Sequence, residues 1–342
     1  MHPFLKDSTV PHFLFLDFVL DFPTMTSPES SAASHRPPKT KLAAAQIAPC
    51  FLNKTESTKL VCQWIREAGK QKVTVVGFPE TIIPGYPAWL GHFPLDDPRT
   101  MENYQSLFHN SIIIPGHETE LIGDACRDAG IYAVVGCSEK RENSTGTLWN
   151  TQLIFGPDGR LLLKHQKYVP TVFEKLVHAP GTTGAGASVQ TDFGVLSTLI
   201  CGENSNPLAA YNLARESATV HVASWPPFYP GNWSLKHCCR IASQGLAYTL
   251  KAFVINACAV IKDDFAEACI FTPENQQKMD HEKESKKSSI VNPMGEVIAE
   301  LPDGDEGLLT AEADLEEAIA AKFTHDYGGH YNRPELFAHL FC

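Results

Sequence analysis

The run LAAAQIA (residues 42–48) reads as a strand buried on both faces, and the pattern it opens decides the architecture. Leu60, Val61, Trp64, Ile65 and Ala68 form the apolar stripe of an amphipathic helix, and Gly69 is placed to end it. The strand VTVVGF (residues 73–78) comes next. The arrangement then recurs: Leu121, Ile122, Ala125, Cys126 and Ala129 make a second stripe, Gly130 closes it, and IYAVVGCSE (residues 131–139) supplies a strand. Further strand-like runs are NTQLIFG (150–156), GVLSTLIC (194–201), TVHVASW (219–225) and AFVINACAVI (252–261), with helical patterns over 207–216 and 234–251. Strands alternating with helices predict an α/β fold, and turns such as PDG (157–159) predict mixed rather than wholly parallel sheets. The charge-dense stretch 276–289 is predicted to be a solvated loop.

The chain has 342 residues, enough for one large catalytic core with tails. With 28 Lys+Arg against 39 Asp+Glu, a net charge of -11 and no long basic run, nucleic-acid binding is not the expected task, and a small neutral substrate is tolerated. The ten cysteines are scattered, with no CxxC pair, so they read as thiols of a cytoplasmic protein, not as a disulfide framework or a metal site. Near the N-terminus an apolar patch is interrupted by Asp17 and Asp21 and is too short to span a bilayer, so no membrane association is expected. Residues 1–40 read as a disordered leader or as an extension preceding a true start at Met25. Residues 41–315 then form the catalytic domain and residues 316–342 a tail.

Three residues could carry chemistry. Glu80 ends VTVVGFPE in a Pro/Gly-rich loop, where α/β enzymes often keep functional groups, although an exposed loop glutamate is ordinary. Lys167 follows a strand in LLLKHQKYVPTVFEK (161–175), with Glu174 seven residues on; taken alone this is a solvated ion pair worth ~0 to 1 kcal/mol. Cys201 terminates GVLSTLIC just before a turn and a helix start marked by Asn206 and Pro207, where amide donors would favour a partly ionised thiol. Local sequence leaves an inert core cysteine equally open.

Together these segments resemble the nitrilase family, the carbon-nitrogen hydrolases with a Glu-Lys-Cys triad. The resemblance rests on FPETIIPGYP around Glu80, HQKYVPTVFEK around Lys167 and Glu174, and ICGENSNPLAAYNL around Cys201. Supporting segments are LWNTQLIFGPDGRLLLKH, VHVASWPPF and AKFTHDYGGHYNRPELF, so the likeness spans residues 41–337 in the family's order. It implies an α-β-β-α sandwich with helices on the outer faces. The PGYP loop and the aromatic tail point to the true nitrilase branch. Gly202 stands where the family often has Trp, and Gln166 where it often has Arg, which leaves substrate preference open.

By resemblance, Cys201 is the nucleophile, Glu80 the general base, Lys167 the cation that stabilises charge on nitrogen, and Glu174 an orienting or proton-relay acid. Tyr86, Trp89 and Trp225 are candidate pocket walls, though aromatics near loops also serve as core or interface. No metal or organic cofactor is required. The resemblance also implies a homo-oligomer built from dimers and able to extend into spirals, with the C-terminal segment as a subunit contact. The same scaffold could host a cyanide hydratase or an amidase-type hydrolase. A nucleotide-binding oxidoreductase is disfavoured, because GTTGAGAS (181–188) lacks the GxGxxG spacing between strand and helix.

Overall fold

Among the described residues, twelve strands divide equally between two six-stranded sheets. The structure, a computed structural model, describes residues 39–229, 234–284, 288–301 and 305–340. The leader expected over residues 1–40 therefore lies, but for its last two residues, outside the described ones. The first sheet contains β1 (Lys39–Gln46), β2 (Val75–Gly77), β3 (Tyr132–Lys140), β4 (Leu148–Phe155) and β5 (Leu161–Gln166). The second holds β6 (Ser188–Thr191), β7 (Gly194–Ile200), β8 (Ala218–Trp225), β9 (Phe253–Cys258), β10 (Ser289–Val291) and β11 (Val297–Glu300). The chain then returns, and β12 (Gly307–Asp314) pairs antiparallel with β1 at the edge of the first sheet. Lys39 and Thr40 already belong to that ladder, paired with Asp314 and Ala313.

Both sheets are mixed. β1, β2 and β3 run parallel, as do β7, β8 and β9, while the flanking strands are antiparallel. Alternate residues of each strand point to opposite faces, and here both faces are covered. Leu42, Ala44, Val134 and Ile154 meet Leu196, Val220, Val222 and Ile255 of the other sheet. On the outer side Ala43, Val76 and Val135 pack against Val61 and Ile65 of α1 (Lys54–Lys70). Beyond α2 (Pro98–Asn110), α3 (His117–Ala129) adds Ile122 and Cys126 to that layer. The second sheet is covered by Leu213 of α4 (Pro207–Arg215) and by Leu246 and Leu250 of α5 (Leu235–Leu250). The result is the expected α-β-β-α sandwich.

Two local expectations change. Gly130 does end α3 in the left-handed conformation, at φ 68°. Gly69, however, lies inside α1, where a Cβ would sit 2.7 Å from that of Ala129, so it permits close approach of α1 and α3. Within the charged stretch expected to be a loop, residues 276–283 are instead helical: after α6 (Asp263–Cys269), α7 (Pro273–Lys283) buries Met279 and Glu282. Its start is a capping box, in which Thr272 Oγ1 accepts from Asn275 N at 3.2 Å and Asn275 Oδ1 accepts from Thr272 N at 3.1 Å. The tail carries α8 (Glu316–Lys322) and a final 3-10 turn, Pro334–Leu340. Among the described residues no helix is long and apolar enough to cross a membrane.

Candidate active site

The strand ends on one side of the sandwich deliver the chemistry. Past β2, the backbone at Pro79–Thr81 crosses β3 at Gly136, where any Cβ would lie 2.4 Å from Pro79 O and 2.6 Å from Thr81 N. Glycine is thus demanded there, and the close crossing carries Glu80 inward. Glu80 N donates to Trp225 O at 3.2 Å, which ties the loop to the end of β8 in the other sheet.

Lys167 follows β5, its backbone N donating to Asn150 O of β4 at 2.8 Å. Its ammonium is 1% exposed and donates to Glu80 Oε1 and to Glu174 Oε2, each at 2.7 Å. Glu174 comes from the 3-10 turn Val172–Leu176, and its Oε2 also accepts from Thr171 N at 3.0 Å. Cys201 opens the 3-10 turn Cys201–Ser205 directly after β7. Asn204 Nδ2 steadies this turn by donating to Cys201 O at 2.9 Å.

Three non-glycine residues around the site have left-handed backbones: Thr81 at φ 46°, Val172 at 46° and Cys201 at 51°. Such conformations cost roughly 1–3 kcal/mol each and persist where surrounding structure enforces them. Here they turn the chain sharply beside Glu80, Glu174 and the thiol.

The two acids have very different surroundings. Glu174 accepts from Lys167, Asn150 and Thr171 N, and its Oε1 lies 3.1 Å from His178 Nδ1. Burial alone would raise its pKa, but the Lys167 ammonium and His178 override it and hold the carboxyl well below the usual range. Glu80 has both of its donors on one oxygen, and Oε2 has no partner among the described residues. Burial, reinforced by the Glu174 charge and opposed by Lys167, pushes Glu80 up to about 7. Carboxyl groups driven apart in this way mark one as a fixed charge and the other as a group that exchanges protons near neutrality.

Burial by itself would lower the pKa of Lys167, yet the Glu174 and Glu80 carboxylates hold it well above the ordinary value, so it stays an ammonium. For Cys201 the expectation of a partly ionised thiol fails. Burial, then the Glu80 carboxylate, push it well above the usual value against the pull of Lys167. Its backbone donors do not compensate for a dry setting that already carries two carboxylates.

A cavity of about 250 Å³ opens onto Cys201, with Val172, Gly202, Trp225, Tyr229 and Leu235 among its walls. A Cβ at Gly202 would find nothing nearer than Thr171 Oγ1 at 3.9 Å, so the missing side chain leaves free space there. Of the candidate pocket walls, Trp225 lines this cavity. Trp89 does not: it is fully buried, edge-on to Phe51 at 6.0 Å. Tyr86 shares that aromatic cluster and lies near enough to Glu174, Lys167 and Glu80 for their charges to act on its hydroxyl.

Several residues that reading the sequence missed hold this arrangement together. Asn150 donates to Glu80 Oε1 at 2.6 Å and to Glu174 Oε1 at 2.7 Å. His178 reaches back from Glu174 to Ser138 Oγ at 3.1 Å. Glu203, 6% exposed, accepts from Ile200 N at 2.8 Å and Tyr168 N at 2.6 Å, and its Oε2 lies 2.9 Å from His165 Nε2. One carboxylate thereby joins the residue before Cys201 to the residue after Lys167. Glu203→Ala leaves both amides unpaired at about 1–3 kcal/mol each. The thermal midpoint is therefore expected to fall by roughly 4 °C or more; an unchanged midpoint by calorimetry would contradict this stapling role.

An α-β-β-α sandwich that gathers a thiol, an ammonium and two carboxylates at its strand ends belongs to the class of carbon-nitrogen hydrolase folds. The family model described as carbon-nitrogen hydrolase matches residues 41–323, and the chain belongs to that family. It is 33% identical over 309 residues to a cyanide hydratase of Botryotinia fuckeliana (strain T4), covering 87% of this chain and 81% of that protein. It is 32% identical over 304 residues to a nitrilase of Bacillus sp. (strain OxB-1), covering 87% of this chain and 86% of that one. The solved structure of a carbon-nitrogen hydrolase from Helicobacter pylori G27 shares the fold, with a TM-score of 0.67 at 17% identity over 90% of this chain and 99% of that chain.

Proposed function

We propose that the protein is a nitrilase of the true nitrilase branch, which hydrolyses an organic nitrile to the carboxylic acid and ammonia through a covalent intermediate on Cys201. The observation that carries this reading is the Lys167 ammonium bridging Glu80 and Glu174 at 2.7 Å each, close enough to Cys201 for all three charges to act on its thiol. The similarity to a nitrilase and to a cyanide hydratase supports it.

A resting neutral thiol adds little to a nitrile until its proton leaves. Glu80 takes that proton as sulfur attacks the nitrile carbon, the general-base step that contributes on the order of 10² to 10⁴ in rate. One C–N π bond breaks, and the charge building on nitrogen is stabilised by Lys167 in the dry site before nitrogen receives the proton from Glu80. Removing such a donor costs ~3 to 4 kcal/mol. The product is a thioimidate. Water, deprotonated by Glu80, adds to its carbon; the C–N bond then breaks, ammonia leaves and a thioester remains. A second water cleaves the C–S bond, releasing the acid and restoring the thiol. Glu174, saturated with donors, acts in this scheme as the fixed charge that keeps Lys167 protonated and oriented. A relay would need it to take up a proton.

A second reading is a cyanide hydratase, favoured by the identity to the Botryotinia fuckeliana protein. In that reaction, as in nitrile hydration to an amide, the tetrahedral intermediate expels sulfur instead of ammonia. The apolar walls Val172, Trp225 and Leu235 and the room left at Gly202 favour an organic substituent over hydrogen cyanide. The test is a panel of aliphatic, aromatic and arylaceto nitriles, cyanide and the matching amides, with acid, amide and ammonia measured separately. Acid and ammonia from an organic nitrile support the proposal; amide alone, or turnover of cyanide or amides only, overturns it.

We also propose that the C-terminal segment is a contact between copies of the chain in a dimer-based homo-oligomer. Phe323 is 85% exposed, and Phe337 and Leu340 line an open hollow of about 750 Å³ with Leu208 and Tyr331. Aromatic and leucine side chains in such a surface suit a subunit interface. Truncation before Ala321 is expected to reduce particle size in analytical ultracentrifugation, and an unchanged sedimentation coefficient per chain mass would contradict it.

A further inference from the structure

We propose that Asn150 is a positioning residue for the proton transfer: its side-chain amide, shared between the two acids, fixes which oxygen of Glu80 receives the Cys201 proton. Asn150 Nδ2 lies 2.6 Å from Glu80 Oε1 and 2.7 Å from Glu174 Oε1, so each of its two N–H bonds serves one carboxylate. Lys167 Nζ occupies the same Glu80 oxygen. Both donors therefore crowd onto Oε1, and Oε2, although wholly buried, is left with no partner among the described residues.

A buried carboxylate oxygen without a donor costs about 1–3 kcal/mol or more. Its retention makes sense where a transient donor arrives, and the thiol and the hydrolytic water are the groups the reaction brings there. Asn150 is well suited to set this asymmetry. It stands in the middle of β4, a fully buried strand, opposite Ser138 of β3, and not in a loop. Its own carbonyl accepts from Lys167 N at 2.8 Å, so one residue registers the amine and both acids. Lys167 alone would not fix Glu80, because an ammonium on a flexible stem can follow the carboxylate as it rotates; the amide on the rigid strand cannot.

The groups acting on Glu80 are Lys167, Glu174 and Cys201, with Tyr86 nearby and His178 behind Glu174. Losing the amide removes a donor to the ionised form of Glu80, which raises the pH at which it becomes a competent base. A role in packing alone would lower stability and leave that pH unchanged.

The inference rests on the nitrilase reading for the purpose of the proton transfer, so its deciding readout, cysteine alkylation, needs no nitrile. The rate at which iodoacetamide alkylates Cys201 is followed against pH by peptide mass, in the native protein, in Asn150→Leu and in Asn150→Ser. The acid limb of that profile is expected to move up by about one unit in Asn150→Leu and by less in Asn150→Ser, which keeps one donor. With a nitrile that is turned over, kcat at pH 7 is expected to fall by ~10-fold or more while KM stays within about twofold. A variant folded by circular dichroism whose alkylation limb stays at the native pH overturns the assignment. If neither variant folds, the native protein labelled with ¹⁵N-asparagine decides. The Asn150 amide protons must then shift with the titration of Glu80, and shifts that ignore pH overturn the inference. Absence of nitrile turnover in the native protein would instead count against the proposed function.

Discussion

Cys201→Ala is expected to yield a folded protein that releases no ammonia from a nitrile above background, a loss of roughly 10³-fold or more. The substitution removes only sulfur. Alanine occupies the left-handed backbone at this position, φ 51°, with strain similar to that of cysteine, and the cavity beside it already has room. The buried anchors of the turn, Asn204 to Cys201 O and Glu203 to Ile200 N, do not involve the side chain. Loss of turnover with an unchanged circular dichroism spectrum and thermal midpoint therefore assigns the effect to chemistry. Wild-type ammonia release by the purified variant would remove the covalent step from the account.

Glu80→Gln is expected to lower kcat by roughly 10² to 10⁴. Glutamine keeps the shape of the side chain and one oxygen that can accept from Lys167 and Asn150, whereas the proton acceptor is gone. Lys167 retains Glu174 as counter-charge at 2.7 Å, so the ammonium persists. The same assignment predicts the pH dependence of the native enzyme. Glu80 works as a base only when ionised, and burial pushes it up to about 7. The value of kcat/KM is thus expected to fall about tenfold per pH unit once the pH drops well below 7, as for one essential ionisation. Because Glu80, Glu174, Lys167 and Cys201 titrate as a coupled group, the observed limb belongs to the site as a whole. In Glu80→Gln this limb disappears from the residual rate; a limb that persists at the same pH would assign it to another group.

The strands that lead to Glu80 and Cys201 were legible because buried parallel strands announce themselves as continuous apolar runs, and the polar residue after each run is conspicuous; Lys167 follows a half-buried antiparallel edge strand, whose leucine run LLL marked it. Other parts of the site were not. Asn150 sits in LWNTQLIF, where the signal was a polar triplet inside an otherwise apolar strand; without its partners, residues 70 and 24 positions away, the amide had no visible task. Glu203 was in plain view two residues after the thiol, yet its value lies in contacts to Tyr168 N and Ile200 N that only the folded chain creates.

The errors have equally physical causes. Proximity to a helix start suggested an ionised thiol, but desolvation and neighbouring carboxylates outweigh backbone dipoles in a buried site. Trp89 was a candidate pocket wall as an aromatic near a loop, a position that also suits a core residue; its ring joins Phe51 in the core. The helix over residues 273–283 escaped notice because it buries little besides Met279, too sparse a stripe for periodicity to register, although its Thr-Pro-Glu-Asn cap was readable.

The central claim is that carbon becomes bonded to the Cys201 sulfur during turnover. Acid quenching of the enzyme during steady-state hydrolysis of a slow nitrile, with peptide mass spectrometry of the quenched protein, tests it most directly. The peptide containing Cys201 is predicted to carry the added mass of the thioimidate or the thioester, and the Cys201→Ala protein to carry none. An unmodified Cys201 in an enzyme caught turning over, or an adduct that forms on another cysteine and survives Cys201→Ala, would contradict it.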